Sequence, residues 1–211
     1  MSYIFVISRT KNLFKMKRIS LVIALIFIAT TTYSQKKKPA ATSSALAKAG
    51  IFSVELIKNN LYLFIANKPK KDTILLKSYT GVAAPKDCKI TLFTAKGTAL
   101  TLVLWSEITL TETKEKTESR VEIYSEIWNT ATKTKPLANI QATTNIKEIQ
   151  WLDKLKNASQ TVEKKRNEGF ELTLTPEGNV KLKNKTQENT MIYNATSNVY
   201  QNGKDIAPKK K

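Results

Sequence analysis

The sequence contains no histidine, and Cys88 is its single cysteine. The absence of histidine excludes the usual Ser-His-Asp and Cys-His catalytic systems and every zinc site built on histidine. A lone cysteine excludes an internal disulfide and a Cys-x-x-Cys site, and we interpret Cys88 as a small buried hydrophobic residue. The sequence therefore predicts no catalytic residues of these kinds, no metal site and no cofactor.

Glycine and arginine are also scarce. The six glycines are dispersed, so none of them forms a phosphate-binding loop. After Gln35 the only arginines are Arg120 and Arg166, whereas proteins that read nucleic acid favour arginine for its bidentate contacts. The net charge is nevertheless +18, or +13 without the residues before Gln35. The charge favours attraction to anionic polymers, and specific nucleic-acid binding is not expected.

The first 34 residues have the pattern of a secretory signal peptide. A short basic start at Met16, Lys17 and Arg18 precedes the apolar run 19–29, and small polar residues follow up to a cut before Gln35. This run of 11 residues, which includes Ser20, is shorter than the roughly 20 of a membrane-spanning helix, although an uncleaved N-terminal anchor is the alternative. Met16 opens a complete signal by itself, which favours initiation there. We predict export to the periplasm or the exterior, with no membrane span in the mature chain.

Composition divides the remaining chain into three parts. Residues 35–50 are rich in lysine, alanine and serine, which is typical of a flexible spacer. Residues 51–184 alternate between apolar and polar side chains over many short stretches, which predicts a single β-rich domain. Residues 185–211 are polar, and we expect a poorly ordered tail or an edge strand.

The strongest structural pattern is a β-hairpin over residues 98–129. Both arms alternate with a period of two, and neither contains proline or glycine. We predict a register with Leu110 opposite Val121 and Ile108 opposite Ile123, because it matches apolar residues across the strands.

A helix is predicted over residues 145–167. Asn145 and Glu148 have the spacing of a capping box, and Trp151, Leu152 and Leu155 fall on one side of a helix. The predicted fold is mainly β with this one amphipathic helix (α+β). The strands, about seven to nine of them, would form an antiparallel meander sheet or a partly open barrel.

One face of the predicted hairpin combines aromatic and acidic side chains. It carries the ligand-contact candidates Trp105, Glu107, Tyr124, Glu126 and Trp128. The predicted register sets Glu107 opposite Tyr124 and Glu126 opposite Trp105, so the two carboxylates are diagonal neighbours. Paired carboxylates suit glycoside hydrolysis, and aromatic rings also suit sugar binding without catalysis. The structural alternative is that the helix covers this face.

These patterns favour an exported, non-enzymatic binding or structural module of a bacterial envelope. Its expected partner is carbohydrate or an anionic envelope polymer. Two alternatives remain open at this point. The first is a small glycoside hydrolase that uses Glu107 and Glu126, and the second is an accessory subunit of an envelope complex.

Overall fold

The computed structural model describes residues 45–67, 70–81 and 84–203. The predicted signal peptide, the spacer up to residue 44 and the last eight residues of the tail lie outside the described residues. The strands are β1 (Ala47–Ala49), β2 (Phe52–Ile57), β3 (Asn60–Asn67), β4 (Lys70–Ser78), β5 (Lys86–Ala95), β6 (Thr98–Glu112), β7 (Lys116–Asn129), β8 (Thr134–Trp151), β9 (Ser159–Gly169), β10 (Glu171–Leu174), β11 (Val180–Lys183), β12 (Glu188–Asn194) and β13 (Val199–Asn202).

The strands form three antiparallel sheets in which every strand pairs with its neighbour in sequence. The N-terminal sheet contains β1–β4, the central sheet β5–β9 and the C-terminal sheet β10–β13. The predicted mainly β, antiparallel meander is therefore confirmed. The strand count differs, because the described residues form thirteen strands in three sheets, and none of these sheets closes into a barrel.

The N-terminal sheet packs on one face of the central sheet. Val54, Leu61 and Leu63 of the N-terminal sheet share a buried core with Val103 and Trp105 of β6. The odd-numbered residues of β6 supply this face because successive side chains of a strand point to opposite sides. The aromatic and acidic face of the hairpin is thus covered by a second sheet.

The C-terminal sheet packs on the opposite face of the central sheet. Leu100 and Ile127 of the central hairpin meet Val180, Tyr193 and Tyr200 there. The tail that was predicted to be poorly ordered or an edge strand contributes β12 and β13, and β13 is an edge strand of this sheet. The buried tyrosines Tyr193 and Tyr200 explain why this polar stretch is held in a sheet.

The hairpin of β6 and β7 is present, but its register differs by two residues from the predicted one. Ile108 lies opposite Val121, and Leu110 lies opposite Ser119. The predicted register would place Glu115 and Lys116 in the two-residue loop, whereas the structure places Lys114 and Glu115 there. Thr113 closes this loop, because its N–H donates to the carbonyl of Lys116 at 2.8 Å and its hydroxyl accepts from the N–H of Lys116 at 3.0 Å. Turn geometry therefore sets this register.

The predicted helix over residues 145–167 is wrong. Residues 145–151 continue β8, which pairs with β7 from Leu137 to Glu148, and residues 159–167 belong to β9. Between them Asp153 accepts hydrogen bonds from the N–H groups of Asn157 and Ala158, both at 3.0 Å, and this fixes a turn. Pairing along the neighbouring strand outweighs the helical spacing of the apolar residues.

The first residues of the predicted spacer that the structure describes are also part of a sheet. Ala47–Ala49 pairs with β2, and Gly50 provides the turn between them with a φ of +57°. A positive φ of this kind is accessible to glycine without a steric penalty. The N-terminal sheet therefore begins before residue 51.

The end of the central sheet nearest the loop between β6 and β7, which we call the extension, carries exposed apolar side chains. The side chains of Ile108, Leu110 and Ile123 are exposed there, as are Leu152 and Leu155 in the loop between β8 and β9. Leu155 is 81% exposed, so these leucines do not pack on the sheet as the predicted helix would require. The extension presents apolar side chains that the described residues leave uncovered.

Substitution of two tryptophans, one buried between sheets and one on the exposed part of the central sheet, tests this description of the packing. Trp105 is 1% exposed, and Trp151 is 38% exposed. Trp105→Ala should lower the free energy of unfolding by about 3–5 kcal/mol, because it leaves a cavity between two sheets. Trp151→Ala should change it by less than about 1 kcal/mol. Urea denaturation measures both, and equal effects would contradict the packing described above.

Candidate functional site

The five predicted site residues do lie on one face of the hairpin, at its buried end. Trp105 and Tyr124 are directly opposite each other, and their rings stack with centroids 5.0 Å apart and planes 3° from parallel. Glu107 lies opposite Glu122 instead of Tyr124, and Glu126 lies opposite Val103. Because the register differs by two residues, the same side chains remain on this face, but each lies opposite a different residue of the other strand.

The carboxylate of Glu107 is occupied by three donors. Lys77 from β4 contacts both carboxylate oxygens, at 2.9 and 2.8 Å. The Tyr79 hydroxyl donates at 2.8 Å, and the Trp105 indole N–H donates at 2.9 Å. The N-terminal sheet therefore covers Glu107 and also supplies the paired ammonium group and hydrogen-bond donors without which burying a carboxylate is costly.

Glu126 and Trp128 form a second, separate pair on the same face. The Trp128 indole N–H donates to Glu126 Oε2 at 3.0 Å, and Lys135 Nζ contacts Oε1 at 2.7 Å. Glu126 and Glu107 therefore do not share a partner. Both are buried in the layer between the sheets.

The environment of Glu107 also shifts the pKa values of its neighbours. Burial, followed by the hydrogen bond to the Glu107 carboxylate, raises the pKa of Tyr79. Burial alone would lower the pKa of Lys77, but hydrogen bonds to Glu107 and Tyr124 outweigh it and raise the value. Burial is also the main reason that the pKa of Tyr124 is raised. All three groups are thus held in their protonated forms.

Hydrogen bonds and ion pairs continue from this cluster along the sheet. The Tyr124 hydroxyl donates to Glu122 at 2.8 Å, and Arg120 pairs with Glu122 at 2.9 Å. Arg120 also reaches Glu168 on β9 at 2.6 Å. In the described residues, every buried side-chain nitrogen or oxygen has a hydrogen-bond partner. This face is therefore a satisfied polar layer, and none of its buried groups is left for a ligand.

A different part of the surface offers an open polar site that the sequence patterns did not reveal. A groove of about 570 Å³ lies between β8 and β9 of the central sheet and the turn that links β11 to β12. We call it the lysine groove. Its lining includes three lysines, two glutamates and several amide or hydroxyl side chains, among them Lys165, Lys183, Lys185, Glu168, Glu171, Gln141, Asn167 and Thr186.

Charge and hydrogen-bonding capacity distinguish the lysine groove. Lys165 and Lys185 make no ion pair with the described residues, whereas Lys183 is paired with Glu188 at 3.8 Å. Two carboxylates also line the groove: Glu168 is paired with Arg120 and with Arg166 at 3.1 Å, and Glu171 makes no ion pair with the described residues. The groove therefore presents two free ammonium groups together with amides, hydroxyls and one carboxylate. None of the described residues that line it is aromatic. These groups suit anionic ligands that also carry hydroxyls.

Gly169 fixes the wall of the groove where β9 turns into β10. Its φ is +76°, and a Cβ atom there would lie 2.2 Å from the carbonyl oxygen of Ile140. Only glycine fits this close approach. Lys165 comes from β9, whereas Lys183 and Lys185 come from the end of β11 and the turn after it, so the fold brings the two segments together. The run 164–166 of basic residues is the one signal in the sequence that pointed toward this region.

The described residues contain no group of three side chains able to hold a metal ion. Within the same ranges, no helix has the length and apolar character needed to cross a bilayer. The chain matches no known protein family, no curated protein and no solved structure in the comparisons made with them. The candidate site is therefore argued from its own geometry.

The ion pair between Lys77 and Glu107 should be a major stabilising contact. Lys77→Met removes the counter-charge of a buried carboxylate and should lower the free energy of unfolding by about 2–4 kcal/mol. The matched control is Lys147→Met, because Lys147 pairs with Glu163 at 3.8 Å on the exposed surface. That change should cost less than about 1 kcal/mol. Urea denaturation measures both, and a loss no larger for Lys77→Met than for the control would contradict the assignment.

The same cluster predicts a loss of stability at alkaline pH. A raised pKa in the folded state contributes stability that is complete below the unfolded value and disappears as the pH rises through the folded value. The unfolded values are 10.0 for Tyr79 and 10.5 for Lys77, so the decline should begin near pH 10. Tyr79→Phe should make this decline shallower between pH 9 and 12 in a series of urea denaturations. A slope equal to that of the parent protein would contradict the prediction.

Proposed function

We propose that this chain is an exported, non-enzymatic β-sheet module of a bacterial envelope that binds an anionic carbohydrate polymer in the lysine groove. The observation that carries the proposal is that the unpaired ammonium groups of Lys165 and Lys185 lie beside amides and hydroxyls in an open groove. The predicted signal peptide and the net positive charge of the chain are consistent with a partner of this kind.

The groove replaces the aromatic face as the proposed contact surface. Lys165, Lys183 and Lys185 can attract phosphate, sulfate or carboxylate groups of a polymer. Gln141 and Thr186 can exchange hydrogen bonds with its hydroxyls. Trp105 and Trp128, by contrast, are buried beneath the N-terminal sheet and cannot stack on a sugar without its removal.

The glycoside hydrolase alternative receives no support from the geometry. General acid and base carboxylates need space for a sugar and a water molecule between them. Glu107 instead binds Lys77, Tyr79 and Trp105, and Glu126 binds Trp128 and Lys135. We therefore favour a binding role.

The accessory-subunit alternative is favoured by the exposed leucines Leu152 and Leu155. Exposed apolar side chains that lie close together mark surfaces for protein partners. A role of this kind predicts that the groove lysines contribute only through net charge. The experiment on the groove therefore separates the two functions.

The test compares two triple variants with the same net charge. Lys165, Lys183 and Lys185 are changed to glutamine in the first. Lys48, Lys89 and Lys154, which are exposed elsewhere, are changed to glutamine in the control. Each groove lysine should contribute up to about 1 kcal/mol, so the groove variant should bind dextran sulfate at least about tenfold more weakly than the control.

Binding is measured by titration calorimetry at low salt, with neutral dextran as the uncharged reference. The affinity of the parent protein should fall steeply as the salt concentration rises, because the contacts are ionic. Equal losses in the two triple variants would show that net charge alone is responsible, and the proposed groove would be wrong.

A further inference from the structure

Among the described residues, no strand pairs with the outer edge of β6 over the extension of the central sheet, although Thr80 and Gly81 line a concavity together with Ile108, Thr109 and Leu110. Lys86, the first residue of β5, pairs with Ser106, and β6 then continues to Glu112. Over residues 107–112, β6 pairs only with β7 among the described residues. Alternate backbone N–H and C=O groups along this edge therefore have no strand partner in the described part of the chain.

The side chains of this edge do not protect it from further pairing. Ile108 and Leu110 are 42% and 60% exposed, and residues 108–111 carry no charge and no proline. The opposite edge of the same sheet, β9, carries the run of basic residues 164–166 with Glu163 and Glu168. Proteins usually guard sheet edges with charges of this kind. Of the two edges of the central sheet, the edge of β6 over residues 108–111 is therefore the one without charged residues that would oppose pairing with another strand.

We infer that this edge pairs antiparallel with the same edge of a second copy, so that two central sheets join into one ten-stranded sheet. A two-fold axis perpendicular to the sheet would pass beside Thr109. Thr109 then faces its own counterpart, Ile108 faces Leu110 of the other copy, and Glu107 faces Thr111. This interface goes beyond the polymer-binding role and does not depend on it.

The edge is complementary to itself in this register. Ile108 and Leu110 lie on the same side of the sheet in both copies, so each covers an exposed apolar group of the other. Glu107 is already neutralised by Lys77 and meets an uncharged threonine. The proposed register forms two apolar pairs, Ile108 with Leu110 and its symmetry-related pair. A shift by two residues that places Ile108 opposite Glu112 keeps only one apolar pair, Leu110 with its own counterpart. The proposed register is therefore favoured.

The structure also limits the strength of this contact. Pairing can extend only over residues 107–111 in each copy, because Lys86 occupies the position beside Ser106. An interface of five residues per chain is at the small end of specific contacts. We therefore expect a dimer that dissociates on dilution, with the closed symmetry of an isologous interface.

Sedimentation equilibrium of the full chain over a concentration series tests the dimer. Leu110→Lys places a charge at the paired edge and should weaken dimerisation at least about tenfold. Leu155→Lys is the matched control, because Leu155 is an exposed leucine outside the edge, and it should leave dimerisation unchanged. A parent protein that stays monomeric up to about 1 mM would overturn the proposal. So would loss of the dimer in the Leu155 variant alone.

Disulfide trapping tests the register without relying on a disruptive substitution. In a Cys88→Ser background, Thr109→Cys should cross-link two copies, because opposed Cβ atoms of paired strands lie about 4.5–5.5 Å apart. Thr111→Cys should not, because its counterpart lies about 13 Å away along the strands. Equal cross-linking of both variants, or no cross-linking of Thr109→Cys, would overturn the proposed pairing.

Discussion

The two-sided burial of the hairpin formed by β6 and β7 is the constraint on which the rest of the structure depends. Near its base, Trp105 faces the N-terminal sheet, and Leu100 faces the C-terminal sheet. Each flanking sheet has only four strands and obtains its core by packing against this hairpin. Small sheets of this size are marginal when they have no second layer, so the hairpin supplies what each of them lacks.

Burial on both faces explains why polar groups lie between the sheets. Glu107 falls on the covered side of β6, and the N-terminal sheet provides Lys77 and Tyr79 to satisfy it. The cluster fixes how β4 lies relative to β6, because a shift of either strand would separate an ion pair in a region with little water. A face that resembles a ligand site in sequence is therefore an interface between layers.

The sequence was sufficient to predict the hairpin of β6 and β7, the antiparallel meander and the face on which Trp105, Glu107 and Tyr124 meet. These features depend on alternation along the chain, which is local information. The register of β6 and β7 could not be predicted from matched side chains, because the turn at Thr113 decided it. The helix over residues 145–167 failed because the apolar spacing does not reveal that β7 offers a long strand to pair with.

The lysine groove illustrates the remaining limit. Lys165 and Lys185 lie twenty residues apart in sequence, and their proximity depends on how the central and C-terminal sheets pack. A pattern within one segment of the sequence cannot predict that two residues of different sheets lie close together. The covered state of the aromatic face has the same origin, because it requires the N-terminal sheet to fold back over strands that follow it.

Within each sheet, the strands pair in the order of the sequence, and this has a consequence for how the chain folds. Each hairpin can form from a short segment without closing a long loop, so the early steps of folding are expected to be fast. The N-terminal sheet is synthesised first, yet Val54, Leu61 and Leu63 gain their cover only when β6 and β7 have followed. Until then, the apolar face of the N-terminal sheet that contains these residues remains exposed to solvent during synthesis.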